Sequence, residues 1–405
     1  MIKLKNITHN PLHELRYVVV LAAIQFVNVV DFVIMMPLGP TLIDELSITP
    51  VQFGTLISAY SFSGAGTGFL FGLIADKYDR KNLLILAIVG FMLTTLACGL
   101  SNSFGTLLTA RIFTGVFGGI LTSLIFTIVS DLIPFERRGK AMGIIMSSFS
   151  IASVLGVPLG LAISDATNWQ NSFHFIVLIS IPMLILSIII FPSIYVDKPE
   201  VEISILKSLK NLLSRSKNLI SFILIFLVSG SMFLLIPYLS TYAVKNMQIS
   251  TTDLKYAYMV GGFFTIITAR IIGKLTDKLG ALNIYAGLVL LSSIPILIFT
   301  HSGPLTLVSF LVLQSFFMTL VSGRMIPCMT LVSEVPEVHE RGLFMSTLNS
   351  IRALGRGIMT FLAGFLIVET SDGNLSGFDT AGILSIAIAL ITIYLANKVY
   401  KTVQT

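Results

Sequence analysis

The chain has 405 residues, of which 55% are hydrophobic and 11% are charged, and its mean hydropathy is +0.91. A soluble domain carries about a quarter charged residues, so this composition excludes a protein that is surrounded by water. The formal net charge of +6 comes from Lys and Arg residues scattered over short loops. This distribution excludes the clustered basic face that binds nucleic acid, and it makes the lipid bilayer the expected solvent.

Twelve apolar stretches are long enough to cross a bilayer, at about 20 residues for each crossing. They lie near 17–38, 51–75, 82–100, 104–131, 138–163, 170–194, 218–244, 253–276, 281–299, 303–333, 341–369 and 377–397. We therefore predict an all-α membrane protein with twelve transmembrane helices. The even number of spans places both termini on the same side.

The distribution of basic residues predicts which side is cytoplasmic, because cytoplasmic loops carry an excess of Lys and Arg. Of the 26 basic residues, 19 lie in the termini and loops of one side, whereas Lys245 and Lys255 alone lie in loops of the other side. The remaining five lie inside spans, and they are Arg111, Arg270, Arg324, Arg352 and Arg356. Both termini are thus expected in the cytoplasm, with the protein in the cell (inner) membrane.

The longest polar segment, 195–217, joins the sixth span to the seventh and divides the chain into two halves. We predict an N-terminal six-helix bundle over 1–194, a cytoplasmic linker over 195–217 and a C-terminal six-helix bundle over 218–405. Leucines and basic residues follow helical spacing in 206–217. This pattern is typical of an amphipathic helix that lies on the membrane surface.

Short matches between the halves indicate that they are repeats. The sequence Val-Ser-Asp at 129–131 recurs as Val-Ser-Glu at 332–334, an offset of 203, and Pro37 recurs as Pro237. Parallel repeats joined by a cytoplasmic linker are the arrangement of secondary transporters, in which two bundles rock around a site at the midplane. The sequence therefore favours a transporter built from two pseudo-symmetric bundles.

The loop after the second span carries a specific family motif. From Gly72 to Lys81 the sequence reads GLIADKYDRK, which resembles the G-x-L-x-D-R-x-G-R-R/K signature of the major facilitator superfamily. A second copy, GKLTDKLG, runs from Gly273 to Gly280. The resemblance implies a cytoplasmic latch that opens when the bundles rock. The gating residues predicted from it are Gly72, Asp76, Arg80 and Asp277.

Two further motifs resemble parts of the same superfamily. Arg111-x3-Gly115-x2-Gly118-Gly119 in the fourth span is similar to its buried-arginine motif. The sequence GVPLG at 156–160 resembles the fifth-helix motif of drug:proton antiporters, in the version of the arabinose-efflux-like group. The second resemblance implies that Gly156 and Pro158 also take part in gating.

A charge at the middle of a bilayer costs about 2.5–3.5 kcal/mol on insertion scales, so each buried charge needs a reason. Asp31 is the one acidic residue well inside a predicted span, and Arg111 lies at the same depth, about 10 Å from the outer ends of the two spans. Asp31, followed by Phe32 and Pro37, also resembles the acidic first-helix motif of drug:proton antiporters. We predict that Asp31 exchanges the transported proton with Arg111 as its partner. A static ion pair that fixes two helices is the alternative.

Three arginines lie deep in the tenth and eleventh spans, where the second half has no intramembrane acid to neutralise them. Arg324, Arg352 and Arg356 indicate a substrate with a carboxylate, phosphate or sulfonate, because arginine binds such groups in a bidentate manner. Alternatively, they bind helix-end carbonyls, lipid phosphates or Asp31 itself. Polar residues within spans complete the predicted substrate site, and they are Gln25, Asn28, Tyr60, Tyr238, Gln314 and Asn349.

The sequence contains no grouping typical of catalysis or cofactor binding. Cys98 and Cys328 lie 230 residues apart without a CxxC pair, the five His show no metal-ligand or Ser/His/Asp spacing, and no Walker A motif occurs. We therefore expect a monomeric transporter without metal or cofactor that exchanges protons for a small organic molecule and exports it. The alternatives are a symporter or uniporter that imports an organic anion, and a receptor on a transporter fold.

Overall fold

The structure is a computed structural model, and it describes residues 11–74, 78–194, 205–337 and 340–404. Ten helical stretches of these residues are long and apolar enough to cross a membrane. Two more long helices, Pro50–Ile74 and Arg341–Leu366, lie where the second and eleventh spans are predicted. Arginines make the second of these helices less apolar. All twelve predicted spans are therefore helical.

The N-terminal half, 11–194, contains six spans, of which the fifth is built from more than one helical segment. Its α-helices are α1 (Pro11–Ile34), α2 (Gly39–Glu45), α3 (Pro50–Ile74), α4 (Arg80–Gly99), α5 (Phe104–Leu132), α6 (Phe135–Ile151), α7 (Val157–Ala166) and α8 (Gln170–Ile190). A π-helical turn, Ala152–Gly156, joins α6 to α7.

The C-terminal half, 205–404, begins with a helix in the predicted linker. Its α-helices are α9 (Ile205–Ser214), α10 (Ser216–Phe233), α11 (Leu239–Lys245), α12 (Leu254–Leu279), α13 (Ala281–His301), α14 (Leu307–Gly323), α15 (Met325–Ser333), α16 (Arg341–Leu366) and α17 (Phe378–Gln404). Short 3-10 helices span Ile236–Tyr238 and Thr251–Asp253. The strands β1 (Val368–Glu369) and β2 (Leu375–Ser376) form an antiparallel hairpin between α16 and α17. The eleventh span thus ends earlier than the predicted 369.

The amphipathic segment predicted in the linker forms α9. Leu212 on this helix is buried, whereas Lys210 is exposed. Asn218 at the start of α10 donates a hydrogen bond from Nδ2 to the Leu212 carbonyl oxygen over 2.9 Å. The contact ties α9 to the C-terminal bundle. Residues 195–204 of the predicted linker lie outside the described part of the chain.

The same break in a helix occurs at equivalent points of both halves. α1 gives way to α2 in a turn that contains Pro37, and α10 gives way to α11 in a segment that contains Pro237. Proline has no N–H, and its ring clashes with the carbonyl four residues earlier, so it interrupts an α-helix. α2 packs against α11. The two helix breaks therefore lie at the ends of the bundles that contact each other through α2 and α11.

The two bundles meet along two pairs of long helices. α3 packs against α16, and the π-helical turn with α7 packs against α12. Across the first pair, Ser58 donates a hydrogen bond from Oγ to the Gly357 carbonyl oxygen over 2.8 Å. We call the end of the molecule with α2, α11 and the hairpin the Lys245 face, and the opposite end the Arg80 face.

Candidate functional site

The buried charges of the N-terminal bundle form one ion pair. Nη1 of Arg111 on α5 lies 2.8 Å from Oδ2 of Asp31 on α1, and neither side chain is exposed. Thr95 on α4 donates a hydrogen bond from its hydroxyl to Oδ1 of Asp31 over 3.4 Å. The carboxylate thus connects three helices.

A hydrogen-bond network extends from this pair toward the centre of the bundle. The guanidinium of Arg111 lies over the ring of Tyr60, 4.5 Å from its centroid. The Tyr60 hydroxyl donates to Oδ1 of Asn28 over 2.7 Å, and Nδ2 of Asn28 donates to the Gly118 carbonyl and the Thr122 hydroxyl. Asn28 and Tyr60, which were predicted to bind substrate, hold α1, α3 and α5 together around the ion pair.

The glycines of the fourth-span motif allow α3 and α5 to approach closely. A Cβ added at Gly119 would lie 2.3 Å from the Gly64 carbonyl oxygen, and one added at Gly115 would lie 2.5 Å from the Tyr60 carbonyl oxygen. Small residues at such a contact let two transmembrane backbones pack together. The motif therefore brings Tyr60 next to Arg111.

Arg356 on α16 contacts aromatic rings of both bundles. Its guanidinium carbon lies 5.0 Å from the ring centroid of Phe32 on α1 and 5.6 Å from that of Phe233 on α10. Both distances are within the range of a cation–π interaction. The side chain is partly exposed. Arg356 thus lies at the boundary between the bundles, beside the residue that follows Asp31.

Arg324 and Arg352 differ in their exposure. Arg324 is 1% exposed and occupies the break between α14 and α15, where Pro327 cannot donate a hydrogen bond to the Gly323 carbonyl. Its Nε donates to the Val321 carbonyl over 3.2 Å, and its Nη2 has no hydrogen-bond partner among the described residues. Arg352 is partly exposed, and its Nε is enclosed with no hydrogen-bond partner in the part of the chain that the structure describes.

The remaining predicted substrate residues differ in their surroundings. Tyr238 is buried, and its hydroxyl donates to the carbonyl oxygens of Pro50 at 3.0 Å and Thr360 at 3.4 Å. Its hydroxyl is already hydrogen-bonded to residues of both bundles, so Tyr238 is a contact between the bundles. The Oε1 atoms of Gln25 and Gln314 are enclosed, and neither accepts a hydrogen bond from a described residue. Asn349 is partly exposed on α16.

The residues predicted to form the latch lie mostly at the Arg80 face. Arg80 is 1% exposed, and its Nε lies 3.3 Å from Oδ2 of Asp131 at the end of α5. Gly72 lies near the end of α3, and Asp76 falls outside the described residues. Asp277 is exposed near the end of α12 and forms no ion pair within the described part of the chain.

Gly156 and Pro158 lie at the π-helical turn of the fifth span. Because Pro158 has no N–H for the carbonyl of Val154, the helix widens there by one residue. A Cβ at Gly156 would lie 2.2 Å from Cγ2 of Val30 on α1, and one at Gly262 on α12 would lie 2.9 Å from Cγ2 of Val154. The distorted turn is thus packed tightly between both bundles.

Two lysines that were not among the predicted site residues form ion pairs between the bundles. Nζ of Lys245 lies 3.0 Å from Oδ1 of Asp44 in the other bundle and 2.5 Å from Oε1 of Glu369. Nζ of Lys255 on α12 lies 3.2 Å from Oδ2 of Asp165 on α7. The pairs of Lys245 with Asp44 and of Lys255 with Asp165 join the bundles, whereas Glu369 belongs to the same half as Lys245. Lys245 and Lys255 are also the two basic residues that the sequence places in loops of the side opposite the other 19. That exceptional position was the sequence feature that could have identified them.

Two helical bundles with a buried ion pair and with charged contacts between them define a membrane transporter. Residues 21–360 and 221–401 match the family model of the Major Facilitator Superfamily. The chain belongs to this superfamily, and it is a transporter, not an enzyme.

Similar proteins agree with this assignment. The uncharacterized MFS-type transporter YceJ of Bacillus subtilis is 25% identical over 359 residues, which cover 88% of this chain and 90% of that protein. Multidrug resistance protein 3 of Bacillus subtilis is 30% identical over 149 residues, 37% of this chain and 28% of that protein.

Solved structures show the same fold at low sequence identity. A bacterial homolog of the human lysosomal transporter Spinster, inward-facing and unoccupied, has a TM-score of 0.71 at 15% identity and covers 97% of both chains. A POT family transporter in complex with 5-aminolevulinic acid has a TM-score of 0.76 at 13% identity, covering 94% of this chain and 96% of that chain. The predicted major facilitator fold with two six-helix bundles is confirmed.

Proposed function

We propose that this transporter is a monomeric proton-coupled antiporter that exports a small organic molecule across the cell membrane. The observation that carries the proposal is the fully buried ion pair between Asp31 and Arg111. Relatives named Multidrug resistance protein 3 and Efflux pump dotC support export as the direction. The 19 basic residues in the loops and termini of one side support a cytoplasmic Arg80 face.

The coupling follows from the cost of an unpaired charge in the membrane. When a proton neutralises Asp31, the attraction between α1 and α5 weakens and Arg111 is released. When the pair separates, the bare carboxylate is costly in its apolar surroundings, so proton uptake is favoured. Bundle motion and the protonation of Asp31 are therefore coupled in both directions.

Gating acts at both ends of the bundles. The ion pairs of Lys245 and Lys255 act as the gate of the Lys245 face, and Gly72, Asp76, Arg80 and Asp277 act as the latch of the Arg80 face. The π-helical turn at Gly156 and Pro158 supplies a place where the fifth span bends as the bundles rock.

Transport measured in proteoliposomes tests the coupling. Pyranine trapped inside reports proton movement when naphthalene-2-sulfonate, 2-naphthamide or ethidium is added under an imposed pH gradient. We expect proton exchange with at least one of these probes in the wild type and none in Asp31→Asn, which keeps substrate counterflow. Asp379→Asn, at an exposed position on α17, is the matched control.

The outcome decides between the proposal and its alternatives. Gradient-driven transport by Asp31→Asn at the wild-type rate would exclude Asp31 as the proton carrier. Movement of proton and substrate in the same direction would establish a symporter that imports an organic anion. Substrate movement that ignores the gradient would establish a uniporter.

A further inference from the structure

Three arginines lie deep within the tenth and eleventh spans, on α16 or at the boundary of α15. Arg324 precedes the end of α15 by nine residues, and Arg352 follows the start of α16 by eleven residues. At a rise of 1.5 Å per residue, both lie roughly 15 Å from the Arg80 face. Arg356 lies one helical turn beyond Arg352, on the same side of α16.

These positive charges have no negative partner in the described part of the chain. None of the three arginines forms an ion pair with a described carboxylate, and each has at least one enclosed nitrogen without a hydrogen-bond partner. Arg352 and Arg356 lie one helical turn apart on the same side of α16, so two of the charges are neighbours. Like charges held together in an apolar interior are costly unless an anion neutralises them.

The surroundings of Arg356 indicate what kind of anion fits. Phe32 and Phe233 flank its guanidinium, and the ring of Tyr60 lies 5.3 Å from that of Phe32. These rings come from both bundles and form an aromatic surface beside the positive charge. A flat apolar body with one anionic group would place its charge on arginine and its body against the rings.

We propose that Arg324, Arg352 and Arg356, with Phe32 and Phe233, form a binding site between the bundles for a small aromatic organic anion. This proposal rests on the proposed function in one respect, which is that the bound anion is the substrate that the transporter exports. It also explains how cargo reaches the coupling pair, because the Tyr60 ring lies beneath Arg111 and next to Phe32.

Binding to the purified wild-type protein tests the charge preference without any proton gradient. Naphthalene-2-carboxylate and naphthalene-2-sulfonate are compared with 2-naphthamide and a naphthylmethyl trimethylammonium ion by titration calorimetry in phosphatidylcholine nanodiscs. We expect both anions to bind about tenfold or more tightly than the neutral and cationic compounds. Equal binding of the amide would overturn the proposal. This measurement uses only the wild-type protein, so it does not depend on the folding of a variant.

Substitutions then locate the site. Arg352→Gln and Arg356→Gln should each raise the Kd of the sulfonate about tenfold or more, and Arg356→Lys should recover part of the loss, since it keeps the charge without the planar fork. Arg270→Gln, at an exposed arginine on α12, should bind as the wild type does. An unchanged Kd in both folded Gln variants would place the anion elsewhere.

Further measurements distinguish a soluble organic anion from a lipid phosphate as the bound group. Phosphatidylglycerol in the nanodiscs should leave sulfonate binding unchanged. If sulfonate binding is lost in the presence of this lipid, the arginines bind lipid phosphate and the proposal is overturned. If binding persists while proton exchange is absent in the wild type, the coupling proposal fails and the anion site stands.

Discussion

Lys245 on α11 donates a hydrogen bond across 3.0 Å to Asp44 on α2, so one side chain connects the two bundles at the Lys245 face. The same ammonium group also bonds to Glu369 in the hairpin. Asp44 is 66% exposed, and an ion pair in contact with water contributes little to stability. A weak contact of this kind can open and close during transport, which a strong one would prevent.

Reversing the charge of Lys245 should therefore favour the open state of the Lys245 face. Lys245→Glu repels both Asp44 and Glu369, and we expect faster hydrogen exchange in α2 and α11. The double variant Lys245→Glu/Asp44→Lys restores one attraction and should recover part of the protection. Lys210→Glu, at an exposed lysine on α9, is the control. Unchanged exchange in Lys245→Glu would show that the ion pairs do not hold this face closed.

The sidedness of the molecule gives a second prediction. Cys98 and Cys328 are free and buried, so they add little background to thiol labelling. A cysteine introduced by Asp372→Cys, next to the hairpin, should react with a membrane-impermeant maleimide in intact cells. A cysteine introduced by Lys140→Cys, at the Arg80 face, should react only after the membrane is opened. The reverse pattern would place the termini outside the cytoplasm.

The positions of the spans could be predicted because the bilayer fixes the length of an apolar helix. The fifth span shows the limit of that argument. Its sequence is one continuous apolar stretch, whereas the structure contains a π-helical turn at Ala152–Gly156. Pro158 signals a distortion, but its form depends on how α1 and α12 pack around it.

Polarity within a span identifies a residue of interest without identifying its partner. Asp31 and Arg111 could be placed together because opposite charges at one depth in a membrane seek each other. Tyr238 gave the same polar signal, yet its hydroxyl bonds to the carbonyl of Pro50, 188 residues away. That contact, like those of Lys245, depends on how the two bundles dock, and no local pattern records it.

Close packing between α3 and α5 gives a third prediction. Gly119→Ala would place a methyl group 2.3 Å from the Gly64 carbonyl oxygen, so the helices must separate, at a cost of about 1–3 kcal/mol. Gly143→Ala on α6 meets nothing within 4 Å and should be neutral. Thermal unfolding of the two purified variants checks this difference. Equal Tm values would mean that the glycines of the motif are not needed for packing.

The ion pair of Asp31 with Arg111 gives the last prediction, which concerns stability apart from transport. Both side chains are fully buried, so removal of either one leaves the other charge without its partner. Asp31→Leu and Arg111→Met should each lower the free energy of unfolding by about 3–5 kcal/mol. The double variant removes both charges and fills similar volume with apolar groups.

We therefore expect the double variant to lose much less stability than the sum of the two single losses, because no unpaired charge remains. Fluorescence of Trp169, the one tryptophan of the chain, follows unfolding in all four proteins. The double variant should nevertheless be unable to use a pH gradient, since no carboxylate remains at position 31. Additive losses of stability would show that the two charges do not neutralise each other in the folded protein, and the coupling mechanism would lose its physical basis.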